Sequence, residues 1–168
     1  MTGNGSKALR RYDLRDQITK RWLGTVVVSE DGFLFCHTDY GDYNYYWGDA
    51  GSDFVGFLLK IDADYLLRKV SRRDEYDGDK TLRNIRQRIC ELRRSGSLTK
   101  AEAREEWNRL SEFDLDDMVG FTLWYQDTKL QDAYELIRHD WPAWAKCFAE
   151  RVWPVLCAAI RAEREAAK

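Results

Sequence analysis

A chain of 168 residues with 44% hydrophobic and 14% aromatic side chains and a net charge of −2 can bury roughly two thirds of its unfolded surface as one ordinary domain. This composition excludes an intrinsically disordered polymer. It also excludes a helical membrane span, which needs about 18 apolar residues in a row, because even the stretch from Val152 to Ile160 is broken by Pro154.

In chain order, residues 1–10 (MTGNGSKALR) are small, polar and basic and are expected to form a frayed tail, with a sheet portion over 11–50 and a helical portion over 51–168 of a single domain. A strand is expected from about Tyr12 to Thr19. The segment GTVVVSEDGFLFCHT sets two β-branched or aromatic runs around Ser29 to Gly32, the pattern of a hairpin in which glycine supplies a positive φ. Both faces of that hairpin are apolar, Val26 and Val28 against Val27, and Phe33 and Phe35 against Leu34 and Cys36, which predicts a central, doubly covered position. Gly41 and Asp42 offer a second turn. Tyr43, Tyr45 and Trp47 then share one face of a further strand, and Asn44 and Tyr46 the other.

From Ser52 the period becomes helical. Ser52 or Asp53 caps a helix carrying Phe54, Phe57 and Leu58, and Asp62 or Asp64 caps its successor. Over Asp79 to Arg94, Leu82, Ile85, Ile89 and Leu92 make an apolar stripe opposite Arg83, Arg86, Arg93 and Arg94. Ser95 to Ser97 end that helix. Thr99 and Glu102 form a capping box, with Leu98 and Ala103 as staple, opening a helix expected to bury Trp107 and Leu110. DLDDMVGFTLWYQDT is read as a helix, Leu130, Ala133, Tyr134 and Ile137 as another, and a long last helix begins at Trp141-Pro142. Its expected stripe is Trp141, Trp144, Phe148, Val152, Leu156 and Ile160, with a kink at Pro154. The fold class is therefore α+β: a small N-terminal antiparallel sheet of three or four strands packed against five to seven helices.

Charge is banded along the chain. Residues 24–64 hold one base against eight acids, whereas residues 65–94 hold ten bases against five acids. Within the acidic band, TDYGDYNYYWGDAGSD joins carboxylates to rigid aromatic rings, the composition of a recognition surface for a basic partner. With Tyr43, Tyr45 and Trp47 roofing the core, the residues left for contact are Asp39, Tyr40, Asp42, Asn44, Tyr46, Asp49 and Asp53. Arg83, Arg86, Arg93 and Arg94 form the alternative, a nucleic-acid or second protein contact; no recognised motif surrounds them, and the flanking acidic bands would repel a polyanion.

Catalytic and metal chemistry find little support. Cys36 and His37 are adjacent, so on a strand they face opposite ways, and His139 stands at an expected helix end. Cys36, Cys90, Cys147 and Cys157 contain no C-x-x-C pair, so zinc is not expected and reduced thiols in a cytosolic chain are. Nothing resembles a secretory leader. The acids lack the spacing of a calcium loop, Asp62 and Asp64 read as helix caps, and the glycines form no phosphate cradle. No cofactor is expected.

At ITKRWLGTVVVSEDGFLFCHTDYG, FLLKIDADYLLRKV and WYQDTKLQDAYEL the chain resembles small accessory proteins of tailed phages and prophages, across about residues 17–140. The resemblance carries no catalytic signature and transfers no site residue. It implies expression in the cytoplasm of a bacterial host and a counter-defence role like that of anti-CRISPR proteins, which occupy a surface of a defence complex. The sequence reading is then a non-enzymatic inhibitor that docks its acidic Tyr/Trp surface on a basic host protein or nucleoprotein complex. Within that reading the arginine-rich helix is left for a second contact or self-association; a nucleic-acid-binding accessory protein using Arg83, Arg86, Arg93 and Arg94 is the first alternative. An enzyme of unrecognised type is the second.

Overall fold

The computed structural model describes residues 8–167. By internal contacts the chain divides into two units, one spanning Met1–Arg72 with Trp141–Lys168 and the other Arg73–Asp140. Each closes around its own apolar core, and the fold is α+β.

The first unit is built on an antiparallel sheet, β1 (Leu9–Arg15), β2 (Trp22–Ser29), β3 (Phe33–Thr38) and β4 (Gly41–Tyr46), in that spatial order. Of the expected tail, residues 1–7 lie outside the described residues, and Leu9 and Arg10 belong to β1, where they pair with Ser29 and Val28. That strand ends earlier than expected because the Asp16 carboxylate accepts from the Ile18 and Thr19 amides and turns the chain. The β2–β3 hairpin closes on Gly32 at φ 103°, where a Cβ would stand 2.1 Å from the Trp47 carbonyl oxygen; only glycine fits. Val27 pairs with Phe35 and Phe35 with Asn44, which fixes the register of the outer face.

The sheet buries one face. Leu14, Val26, Val28, Leu34, Cys36 and Tyr43 point inward against α1 (Phe54–Leu58), α2 (Ala63–Val70), α6 (Ala143–Cys147) and α7 (Trp153–Ala166). Tyr43 stacks on Phe148 at 4.2 Å between centroids, and each fully buried large apolar side chain contributes about 1.5–3 kcal/mol. The expected double cover is a correction: Val27, Phe33 and Phe35 lie on the opposite face, and both phenylalanines are exposed. Apolar content on both faces reads like a doubly covered strand, but in an antiparallel sheet one face can stand in water.

α6 and α7 are one run of helix joined by a π turn, Phe148–Val152, in which the Trp153 amide donates to the Phe148 carbonyl five residues back. The disturbance expected at Pro154 takes this form, since proline has no amide to return to Glu150 and its ring crowds that carbonyl. Trp144, expected on the core stripe, is exposed, and Ala145 is buried in its place.

The second unit holds α3 (Gly78–Ser95), α4 (Lys100–Arg109), α5 (Met118–Asp127) and a 3₁₀ turn, Ala133–Leu136. A two-stranded ribbon, β5 (Glu75–Tyr76) with β6 (His139–Asp140), pairs the two ends of this segment, Glu75 with Asp140 and Tyr76 with His139. Asp77 caps α3, Gly96 ends it at φ 81°, and Thr99 with Glu102 form the expected capping box of α4. The expected helix around Leu130–Ile137 shrinks to the 3₁₀ turn, with Asp132 at φ 55° before it and Tyr134 exposed.

Trp107 is a further correction. The inward phase of α4 runs Ala103, Glu106, Leu110, which leaves Trp107 one step round the helix and 41% exposed. Glu106 is buried instead, accepting from the Thr128 hydroxyl at 2.5 Å and the Lys129 amide at 3.3 Å, with Arg109 Nε 3.5 Å away. Buried carboxylates persist when partnered in this way.

Candidate functional site

The stretch Thr38 to Asp53 divides as its alternation predicts: Tyr43 and Trp47 are buried and Tyr45 half-buried, while Asp42, Asn44 and Tyr46 face out. The seven residues proposed for contact do not form one patch. Asp39 and Asp42 stand at the β3–β4 turn, and Asp49 and Asp53 lie beyond the far end of β4, about 20 Å away for a six-residue strand. Asp42 Oδ1 lies at hydrogen-bond distance from His37 Nδ1, 2.6 Å. Tyr40 is held by Arg151, whose Nη1 donates to its hydroxyl at 3.3 Å. Asp53 caps α1 through the Gly56 amide and meets Arg164 Nη1 at 2.9 Å from both carboxylate oxygens. The Gly56 amide, then Arg164, hold the Asp53 carboxyl below the usual carboxylate range. Asp39 and Asp49 make no ion pair or hydrogen bond with any described side chain.

What links the two acidic ends is the open face of the sheet. Across it run Tyr46 beside Phe33, with rings 6.5 Å apart, and Asn44, Phe35 and Val27 in one register row. The next row reads Asp42, His37, Thr25, Asp13, with the Trp22 ring 5.6 Å from His37. Phe33, Phe35 and Tyr46 are 43%, 42% and 54% exposed. On the β1 side the face becomes charged, with Arg11 paired to Asp13 at 3.0 Å. The sequence held this signal in the apolar odd positions of β3, read there as buried.

In the second unit, Ile89, Cys90, Arg93 and Arg94 of α3 face Lys100, Ala103, Arg104 and Trp107 of α4 across a groove of about 470 Å³. The Arg86 guanidinium stands 5.5 Å from the Trp107 ring centroid. Of the four arginines proposed from sequence, Arg93 and Arg94 line the groove, Arg86 reaches its aromatic wall, and Arg83 is exposed outside the lining. Lys100, Arg104 and Trp107 were missed, although their spacing of four and three residues puts them on one face of α4.

Other groups are placed quietly. Cys36 is buried with its thiol pushed up to about 12 by desolvation, Cys157 is buried, Cys147 half-buried and Cys90 exposed, and all four are free. His139 is exposed on β6, not at a helix end. Among the described residues no three of His, Cys, Asp and Glu gather to hold a metal ion, and no helix is long and apolar enough to cross a membrane.

These features define an α+β protein with two solvent-facing candidate contact surfaces, one aromatic on a sheet and one cationic between helices. The chain belongs to Phage_phiTE_072, a phage family, whose model matches residues 7–162. No curated protein and no solved structure matches it.

Proposed function

We propose that this phage protein acts without catalysis, as an inhibitor that docks the open face of its sheet onto a host protein or nucleoprotein defence complex in the bacterial cytoplasm, in the manner of anti-CRISPR proteins. The observation that carries the reading is the exposure of Phe33, Phe35 and Tyr46 together, with Val27 beside them, on one rigid surface. Aromatic anchors in the middle of a patch with polar residues at its margin are the anatomy of a protein interface. The margins also favour one kind of partner. Asp39 and Asp42 at one end and Glu30, Asp31 and Asp49 at the other suit a surface with an apolar centre and basic rim, as found on complexes that hold nucleic acid.

The test is capture from the bacterial host by tagged protein, with mass spectrometry, comparing the wild type with Phe35→Ser and with the set Asp39→Lys, Asp42→Lys, Asp49→Lys. One nucleic-acid-processing complex should be enriched by the wild type, lost by both variants while each still unfolds cooperatively, and inhibited when the purified partners are mixed. Equal capture by all three proteins would refute the sheet face as the docking surface.

A further inference from the structure

We infer that the groove between α3 and α4 is a binding site for single-stranded nucleic acid. The groove belongs wholly to the second unit. Arg86, Arg93, Arg94, Lys100 and Arg104 converge there, and none makes an ion pair with a described residue. The acids that border them in sequence are engaged elsewhere. Glu91 meets Arg88, Glu102 closes the capping box, and Glu105 pairs with Arg109 and Lys129. On α4 the phase difference explains this: Lys100, Arg104 and Trp107 occupy one side, and Glu102, Glu105 and Glu106 the other. The repulsion that banding implies along the sequence is therefore absent from the groove itself.

The rest of the lining selects among polyanions. Ile89, Cys90 and Ala103 make an apolar floor, and Trp107, 41% exposed, stands beside it with the Arg86 guanidinium against its ring. Carboxylates gain nothing from such a floor, whereas an unpaired base has a flat apolar face that stacks on indole and guanidinium. Arg86 to Arg94 spans about 12 Å of helix, enough to follow a short backbone with the bases turned in. A duplex has no unstacked base to offer Trp107. The site thus combines a cationic track with a stacking wall, the two parts that sequence-tolerant single-strand binding requires.

The test uses the full chain and a fluorescein-labelled oligothymidylate of about 12 nucleotides, read by anisotropy across a salt series. Binding should weaken with salt with a slope of log K against log salt no steeper than about −3.5 for five cations, and the double variant Arg93→Ala, Arg94→Ala should flatten it by about 1.4. Trp107→Ala, at an exposed position, should weaken binding between about 5-fold and 150-fold with the slope unchanged. Four results would overturn the inference: no anisotropy rise at low salt, affinity unmoved in both variants, a duplex of equal length bound as tightly as the single strand, or displacement of the strand by an equal charge concentration of polyglutamate. The last would reassign the groove to an acidic protein segment.

Discussion

Adjacent residues of β3 test the open face most directly, because Leu34 and Phe35 are both large apolar side chains on one strand and present to opposite sides. Leu34 is fully buried and Phe35 is 42% exposed. Leu34→Ala removes buried methyl groups and leaves a cavity, at a cost of about 2–5 kcal/mol. Phe35→Ala forfeits only the covered part of one ring, and the area lost sets its cost below about 1.5 kcal/mol. With a urea dependence of about 2 kcal/mol per molar, the first substitution moves the unfolding midpoint of the sheet unit by about 1–2.5 M and the second by less than about 0.8 M. Far-ultraviolet circular dichroism of each variant in a urea series reads both numbers. If Phe35→Ala shifts the midpoint as far as Leu34→Ala, the phenylalanine is covered, and the sheet face is no docking surface.

Three further outcomes are expected. At Gly120 a Cβ would stand 1.4 Å from the Asp114 carbonyl oxygen, so Gly120→Ala should destabilise the second unit by about 3 kcal/mol or more, seen as a lowered melting temperature. The Asp53 carboxyl is held low first by the Gly56 amide and then by Arg164, so its contribution is present above the unfolded carboxylate value near about 4 and is lost as pH falls through the lower folded one. Asp53→Asn should melt earlier than the wild type at neutral pH, and that gap should close in acid; a gap independent of pH would contradict the assignment. Finally, Cys90, exposed in the α3/α4 groove, should react with maleimide well before buried Cys36 and Cys157, and saturating oligothymidylate should slow that reaction.

Much of the local structure was legible because it depends on neighbours in sequence. The Thr99 and Glu102 box, the Asp53 and Asp62 caps, Gly96 at the end of α3 and the hairpin at Gly32 are each decided within a few residues. Which apolar face is covered is a different kind of fact. Val27, Phe33 and Phe35 are as apolar as Val28, Leu34 and Cys36, and only the placement of helices on one side separates them. The same holds for Trp107 and Glu106, where the larger apolar residue was assigned to the core, yet the helix phase and the partners Thr128 and Arg109 admit the carboxylate. Nor does composition mark the boundaries at Arg72 and Asp140, because only a lone Ser71 and a lone Pro142 stand beside them, with no run of glycine, serine or proline. The acidic patch was half legible: its residues are outward, but strand length sets its two ends apart, and Arg151 and Arg164 settle on Tyr40 and Asp53 from sequence positions more than a hundred residues away.

The π turn at Phe148–Val152 binds two sequence features into one. It stores an additional residue in the winding, so deleting Glu150 alone would take up the surplus and keep Leu156 and Ile160 facing the sheet, but would force Pro154 into a regular turn that its ring obstructs. Replacing Pro154 alone would lift the obstruction and leave the surplus residue in place. The insertion and the imino acid are thus a matched pair, tolerable together and disruptive singly, and sequences that descend with this fold should gain or lose them in concert.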